Sequence, residues 1–335
     1  MRYLSTNKRI RALSDLPSVL LTLAVCLMCW IAGYVYSTGF PLVGYSAVLP
    51  LWGVLCKLFV NKICVYLAGL LIIIIVAFAM QRISDRHMLI RERTRLPFIL
   101  FILLVSTNSG LLPFKEVTIV LLCLVFMIYE LFDSYQSPEE TGMLFNAGVL
   151  VGIAGLFMPQ VLWLIPLLWI GMYQFRSLSF RSFAASLMGV LIIYWFVLAW
   201  CIWKHDFSTF SSLFSSIMSF DIISPATLFQ YYRIGFAGVV LLLVMSFFHI
   251  KSDALSNSVR VRMMLSFLLN MSTWSLIKIL LYGNNVDSFF ALLYLPVSVL
   301  AAYFFENIRY YFRFSLYYSM LILWSVSFII QLWNF

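Results

Sequence analysis

Charged residues are scarce in this chain of 335 residues, and their scarcity excludes an ordinary soluble domain. Asp, Glu, Lys and Arg make up 10% of the sequence, against about 25% in a typical soluble protein. Hydrophobic residues make up 63%, and mean hydropathy is +0.99. The apolar runs are long and continuous, as in spanning helices of about 20 residues, and do not alternate in the blocks of about ten that barrel strands require. The sequence therefore predicts an all-α, polytopic helical membrane protein.

Histidine is rarer still, and the usual motifs of soluble enzymes are missing. The three histidines, His87, His205 and His249, lie in different segments. The sequence has no phosphate-binding glycine loop, nucleophile elbow or zinc-protease helix. Cys26 and Cys29 form a Cys-x-x-Cys within an apolar run, where they are expected to pack as small apolar side chains. We predict no resident metal and no resident cofactor.

About eleven apolar segments are candidate membrane spans, and the whole chain, residues 1–335, is predicted to form a single transmembrane domain. The spans cover roughly residues 17–36, 63–80, 97–113, 116–132, a hairpin within 141–173, and 183–203, 225–249, 263–282, 288–305 and 314–332. The third is interrupted by Ser, Thr, Asn and Gly at 106–110, which predicts a short or broken helix. Two further segments, 38–61 and 204–224, predict juxtamembrane or re-entrant and amphipathic interfacial structure.

Basic residues concentrate on one predicted side of the membrane. With the N-terminus in the cytoplasm, sixteen of the 22 Lys and Arg residues fall in cytoplasmic segments and five outside, as the positive-inside rule requires. We therefore attribute the net charge of +9 to the topology of the protein in the membrane, and we predict no nucleic-acid partner. We predict a multi-pass protein of the bacterial inner membrane. Membrane lipids are the expected partners of the most basic segment, through Arg82, Arg86, Arg91, Arg93 and Arg95.

Few ionisable side chains remain on the predicted outer face, and these are the candidate site residues. Carboxylates there could act as a general base or hold a divalent metal beside a lipid phosphate; they are Asp206, Asp221 and Asp287. Cationic or proton-bearing side chains could bind substrate or the lipid phosphate; they are Lys57, His205 and Arg233. The alternative for all six is an ordinary solvated loop position.

Lys278 is an ionisable residue inside a predicted span. It continues a stripe with Asn270 and Trp274 at intervals of four residues, so that all three share one helix face. An ion pathway is one interpretation. The other is a lysine that extends its ammonium toward the membrane surface beside a structural asparagine.

The predicted hairpin carries the clearest packing pattern. Gly148, Gly152 and Gly155 are spaced by four and three residues, so their bare faces form one groove along a helix. In a membrane such a groove lets a neighbouring helix backbone approach closely. Pro159 marks the turn that follows. The pattern predicts a tight hairpin buried in a helical bundle.

Two families resemble this arrangement. The run Arg-Thr-Arg-Leu-Pro at 93–97, the glycine pattern from Asn146 to Pro159, Leu-Leu-Trp at 167–169 and Phe-Arg at 175–176 resemble an uncharacterised bacterial family of polytopic envelope membrane proteins, over roughly residues 91–196. The order of a first span, a long outer loop with a juxtamembrane helix, and a Gly-rich hairpin resembles the bundle of integral-membrane glycosyltransferases of the C superfamily. That resemblance implies a polyprenyl-phosphate sugar as the substrate of a catalytic member.

The sequence departs from the transferases in its first outer loop, and this departure leaves three hypotheses for the function. Those enzymes place an essential Asp or Glu in the first outer loop, and residues 37–61 contain neither. The first hypothesis is a non-catalytic subunit or scaffold in cell-envelope biogenesis, working with other membrane proteins of an envelope complex. The second is a lipid-linked glycosyltransferase or polysaccharide polymerase in which Asp206, Asp221 or Asp287 has taken over. The third is a transporter or flippase that depends on Lys278.

Overall fold

The computed structural model describes residues 16–36, 52, 61–90, 94–137, 139–205, 207–218, 225–253, 257–308 and 310–333. Over these ranges the chain forms twelve α-helices. In chain order they are α1 (Leu16–Tyr36), α2 (Lys62–Arg86), α3 (Leu96–Ser106), α4 (Glu116–Asp133), α5 (Glu140–Phe157), α6 (Ile165–Gln174), α7 (Phe180–Lys204), α8 (Phe207–Met218), α9 (Pro225–Ser252), α10 (Val259–Leu281), α11 (Val286–Asn307) and α12 (Tyr310–Trp333). Short 3-10 turns cover Ser109–Leu111, Pro159–Leu164 and Gly283–Asn285.

The predicted class is confirmed. Eight of the described helices are long and apolar enough to cross a membrane: α1, α2, α5, α7, α9, α10, α11 and α12. The other three predicted spans are also helical, but α3 has only 11 residues, α6 only 10, and α4 carries three carboxylates in 18 residues. The chain is a polytopic helical membrane protein.

The ends of the helices meet in two layers. At one end His87, after α2, contacts Arg260 at the start of α10, and Ser134, after α4, contacts Ser177 before α7. Arginines and lysines are numerous here, so we call this the basic end. At the opposite end the Lys62 ammonium donates to the Tyr34 carbonyl over 2.7 Å, which joins the start of α2 to the end of α1.

Local sequence explains where several helices begin and stop. Ser179 and Ser182 form a capping box at the start of α7, and the Ser258 hydroxyl accepts from the Val261 N–H at the start of α10. These bonds satisfy backbone donors that the first helical turn leaves unpaired. His205 ends α7 in the left-handed conformation, with φ of 54°. The chain can then reverse into α8.

The centre of the bundle is α11. Of its membrane-spanning window 94% is buried, against 39% for α5 and 22% for α7. A helix that is apolar all round is expected at such a position, and α11 is apolar from Phe289 to Phe305 apart from Ser298, whose hydroxyl donates to the carbonyl of Leu295. The predicted hairpin of α5 and α6 therefore does not hold the central place, and α7 lies at the edge.

The glycine groove on α5 faces α7 rather than the hairpin partner α6. A methyl group added to Gly148 would meet the Ser186 backbone, and one added to Gly152 would meet Ile193 and Val190. Gly189 on α7 contributes to the same contact, because its bare face lies against the Phe145 carbonyl of α5. Gly155 lies against Tyr194 and Leu162, and Pro159 begins the 3-10 turn that leads into α6.

Candidate functional site

The interruption in the third apolar segment places irregular backbone inside the bundle. The 11 residues of α3 rise about 16 Å, which is too short to cross a 30 Å hydrocarbon core. Thr107 closes the helix by donating its hydroxyl to the carbonyls of Leu103 and Leu104. Irregular backbone inside a membrane bundle is stable only where protein or enclosed water satisfies its polar groups.

Side chains from distant helices supply those partners. Gln331 of α12 accepts from both the backbone N–H and the hydroxyl of Ser109, over 3.0 and 3.1 Å. Trp30 of α1 donates its indole N–H to the Ser106 hydroxyl over 3.1 Å. The polar turn formed by residues 106–110 is therefore held by the first and last helices of the bundle.

Asp287, predicted as a catalytic candidate, lies at this polar turn. It begins the central helix α11, and a Cβ on Gly110 would overlap its carboxylate. Only a glycine admits the carboxylate this close to the backbone. The structure thus brings one of the predicted acids to the one irregular stretch of chain between α3 and α4.

Asn108 is the unsatisfied member of the polar turn. Its side-chain oxygen accepts from the Gly110 N–H over 3.1 Å, and its side chain also lies beside the Tyr294 hydroxyl of α11. Its amide nitrogen is buried and has no hydrogen-bond partner within the described residues. Leaving a buried amide donor without a partner costs free energy of folding. A water molecule or a polar group of a ligand could accept this hydrogen bond and remove that cost.

A second feature of the opposite end is an aromatic cage around Lys278. The ammonium lies 4.3 Å from the centroid of Trp163, 5.2 Å from that of Tyr282 and 5.7 Å from that of Trp274. Only 6% of the lysine is exposed to solvent. Cation–π attraction to several rings compensates part of the cost of removing a charge from water.

The amphipathic helix α8 closes this cage. Its Ile217 carbonyl accepts from the Tyr282 hydroxyl over 2.6 Å and from the Trp163 indole N–H over 3.4 Å. The same rings that surround the ammonium therefore also bind the end of the interfacial helix. The arrangement encloses Lys278 between three aromatic rings and the interfacial helix.

The basic end contains a charge network around the buried His87 that the sequence did not indicate. Asp133, at the end of α4, pairs with Arg86 over 2.9 Å and faces the His87 Nε2 at 3.4 Å. On the other side of the imidazole, Arg260 of α10 contacts Nδ1 at 2.8 Å. The network joins α2, α4 and α10 at their ends.

The protonation state of His87 follows from these neighbours. A guanidinium can only donate, so Nδ1 must accept from Arg260, and the proton of the neutral ring lies on Nε2 facing Asp133. Burial, reinforced by the charges of Arg260 and Arg86, lowers the pKa of His87 to about 4, although Asp133 opposes this shift. At neutral pH the imidazole is uncharged and bridges an anion and a cation.

The remaining predicted site residues are placed as follows. His205 is exposed at the C-terminus of α7, and the other predicted outer-face residues Lys57, Asp206 and Asp221 lie outside the described residues, as does the side chain of Arg233 on α9. Of the basic segment, Arg82, Arg86 and Arg95 are exposed at the basic end, and Arg91 and Arg93 lie outside the described residues. Within the described part of the chain no three His, Cys, Asp or Glu side chains converge as a metal site would require.

Comparison with protein families assigns most of the chain. Residues 42–335 match the model of a family described as "Family of unknown function (DUF6427)". The chain belongs to that family. The matched region contains α2 to α12, so the polar turn, the aromatic cage and the charge network around His87 are all parts of the DUF6427 domain. Comparisons with curated proteins and with solved structures give no match.

Proposed function

We propose that this DUF6427 protein is a non-catalytic membrane subunit or scaffold of bacterial cell-envelope biogenesis, located in the inner membrane. The observation that carries the proposal is the outer face of α7. This helix packs on α5 through the glycine groove, and the large side chains on its free face are Trp195, Phe196, Trp200 and Trp203, with 68%, 67%, 54% and 81% exposure. The face suits contact with a spanning helix of another membrane protein.

The depth of two of these side chains supports a protein partner over lipid alone. Trp200 and Trp203 lie in the last turn or so of α7, where aromatic residues commonly meet the membrane surface. Trp195 precedes Lys204 by nine residues, which places it about 13 Å deeper along the helix. An exposed Trp–Phe pair at that depth is outside the aromatic belt, and large aromatic side chains are frequent anchors of protein interfaces.

Site-specific photocrosslinking in the native cells tests the proposal. A crosslinking amino acid is placed at Phe196, and at Ile329 of α12 as a matched control with 60% exposure. The proposal expects one membrane protein to be crosslinked at Phe196 and not at Ile329. The same protein should co-purify in stoichiometric amounts in mild detergent and be lost from a Trp195→Ala, Phe196→Ala variant that retains its thermal stability.

Two results would refute the subunit proposal. One is crosslinking at Phe196 only to lipid, together with a purified protein that has no stoichiometric partner. The other is sugar transfer by the polypeptide purified on its own. Mass spectrometry of the same preparation identifies bound lipids, and retained polyprenyl phosphate would favour the catalytic alternative.

Lipid-linked sugar transfer is the second candidate function, and the polar turn is the observation that favours it. Asp287 lies against Gly110 beside the unpaired amide of Asn108, and ionisable groups at broken helices are common functional sites in membrane proteins. The chain also resembles glycosyltransferases of the C superfamily in the order of its sequence features. Asp287 would serve as the general base, and a polyprenyl-phosphate sugar would be the substrate.

Replacement of single carboxylates distinguishes this candidate. Asp287→Asn should abolish transfer from a polyprenyl-phosphate sugar in reconstituted vesicles, whereas Asp253→Asn, at the basic end, should retain it. Asp206→Ala and Asp221→Ala test the other two predicted acids. A transporter would instead lose substrate movement in Lys278→Ala with assembly intact, and the enclosure of that lysine by three rings favours a structural role.

A further inference from the structure

A groove open to the membrane runs between α2 and α4 at the basic end. It has a volume of about 750 Å³. On α2 it is lined by Ile75, Phe78, Arg82 and Arg86, which follow one another at intervals of three or four residues and so share one face of the helix. The α4 wall is formed mainly by Phe126 and Tyr129, and the neighbouring Val125 completes it.

The dimensions of the groove match one leaflet of a bilayer. Ile75 and Arg86 are eleven residues apart, which corresponds to about 16 Å along a helix. Half of a 30 Å hydrocarbon core is about 15 Å. The groove as a whole is therefore about as long as one leaflet is thick, with Ile75 and Phe78 lining its deeper, apolar part and Arg82 and Arg86 lying nearer the basic end.

The two arginines of the groove differ in the contacts that orient their guanidinium groups. Arg86 is oriented by Asp133, over 2.9 Å, and by the Tyr129 hydroxyl, over 2.5 Å. Its side chain is still 54% exposed, and a guanidinium has five N–H donors, so donors remain for a ligand. Arg82 is exposed, and its guanidinium carbon lies 5.9 Å from the centroid of the Phe78 ring in the groove wall.

We propose that this groove is a binding site for an anionic phospholipid. One acyl chain lies along Ile75, Phe78 and Phe126, and the phosphate is bound by Arg82 and Arg86. The groove is lined by two guanidinium groups and the carboxylate of Asp85, and Asp133 pairs with Arg86 from outside it, so Arg82 and the remaining donors of Arg86 select an anionic headgroup. A fork of guanidinium N–H groups fits two phosphate oxygens. The site is independent of the partner face on α7.

The occupant is a lipid rather than free phosphate because the two halves of the groove act together. A basic segment that served topology alone would need no apolar groove beneath it. Here the arginines continue the same helix face as the apolar lining, so a phosphate bound at the headgroup level is joined to a chain in the groove. Binding should therefore depend on both the arginines and the apolar wall.

Native mass spectrometry of the full chain in detergent, titrated with phosphatidylglycerol or phosphatidylcholine of identical acyl chains, tests the proposal. Phosphatidylglycerol should bind more tightly. Arg82→Gln should weaken it about fivefold, the change that corresponds to about 1 kcal/mol per basic residue near an anionic surface. The matched control is Arg181→Gln, an exposed arginine at the same end on α7, which should bind normally.

A second pair of variants tests the apolar half. Ile75→Trp should fill the groove and weaken binding of both lipids, while Ile170→Trp on α6, a position of similar exposure (41% against 44%), should not. Equal affinity for the two lipids, equal losses in Arg82→Gln and Arg181→Gln, or unchanged binding in Ile75→Trp would each overturn the proposal. Competition by inorganic phosphate as strong as by the whole lipid would also overturn it, because it would show that no chain is bound.

Discussion

Replacing Gly148 by Ala should loosen the contact between α5 and α7. The added methyl carbon would lie 3.0 Å from the Ser186 carbonyl carbon and 3.1 Å from its Cα, and closer still to the carbonyl oxygen. Carbon atoms pack at about 3.5–4.0 Å. Because the carbonyl oxygen is the closest of these atoms, the two helix backbones would have to separate by roughly 1 Å at this point.

A separation of that size has a calculable consequence. A radial gap of about 0.5–1 Å removes a quarter to a half of the dispersion energy of the contacts concerned, and overfilling of a packed site typically costs about 1–3 kcal/mol. The close approach of Gly189 to the Phe145 carbonyl would be lost at the same time. We expect Gly148→Ala to destabilise the protein by about 2–3 kcal/mol.

The same helix offers a matched control. Nothing lies within 4 Å of the position that a Cβ on Gly142 would take, so Gly142→Ala adds no clash and restricts only the unfolded backbone. It should be neutral or stabilise by up to about 1 kcal/mol. Unfolding of both variants in lipid bicelles, followed by tryptophan fluorescence, provides the measurement. Equal stability of the two variants would refute the packing argument.

Three further predictions concern the networks at the two ends. Asp133→Asn should destabilise by about 1–2 kcal/mol because it breaks a charge-assisted pair at a carboxylate that is only 13% exposed. Asp253→Asn, which breaks a pair one helical turn apart at a carboxylate that is 34% exposed, should cost at most about 0.5 kcal/mol; an equal effect in thermal unfolding would contradict this. The pKa of His87 is lowered from 6.5 to about 4 in the folded protein, so the unfolded chain binds a proton at this residue at a higher pH than the folded protein does. Stability should therefore decline as pH falls from about 6.5 toward 4. A His87→Gln variant should show a flatter dependence of stability on pH over that window. Trp163→Leu removes the ring nearest the caged ammonium and should lower stability by about 1–2 kcal/mol, while Trp203→Leu, at an exposed position, should leave the melting temperature unchanged.

The helices themselves could be predicted from the sequence because hydrophobic length determines what spans a membrane. The run predicted from residue 225 to 249 is α9, which extends to Ser252. The Ser, Thr, Asn and Gly residues at 106–110 correctly indicated the end of α3, because these residues interrupt an apolar run with groups that need polar partners.

The choice of helix neighbours could not be predicted in the same way. In a membrane every helix face is apolar, so the pattern of hydrophobic residues does not say which face meets which helix. Gly148 was identified as a packing position, yet nothing near it in sequence specified α7 over α6. His87 and Arg260 are 173 residues apart, and only the folded bundle shows that a histidine treated as isolated lies between Asp133 and an arginine.

The polar turn after α3 also constrains the order in which the protein can be completed during synthesis. Ser109 obtains its partner from Gln331 of α12, which the ribosome makes more than two hundred residues later. Until that helix arrives, the turn must be kept solvated or be held by the translocation machinery, because bare amides in hydrocarbon are unstable. A nascent chain arrested before α12 would therefore be a substrate for membrane quality control even though most of its spans are already inserted.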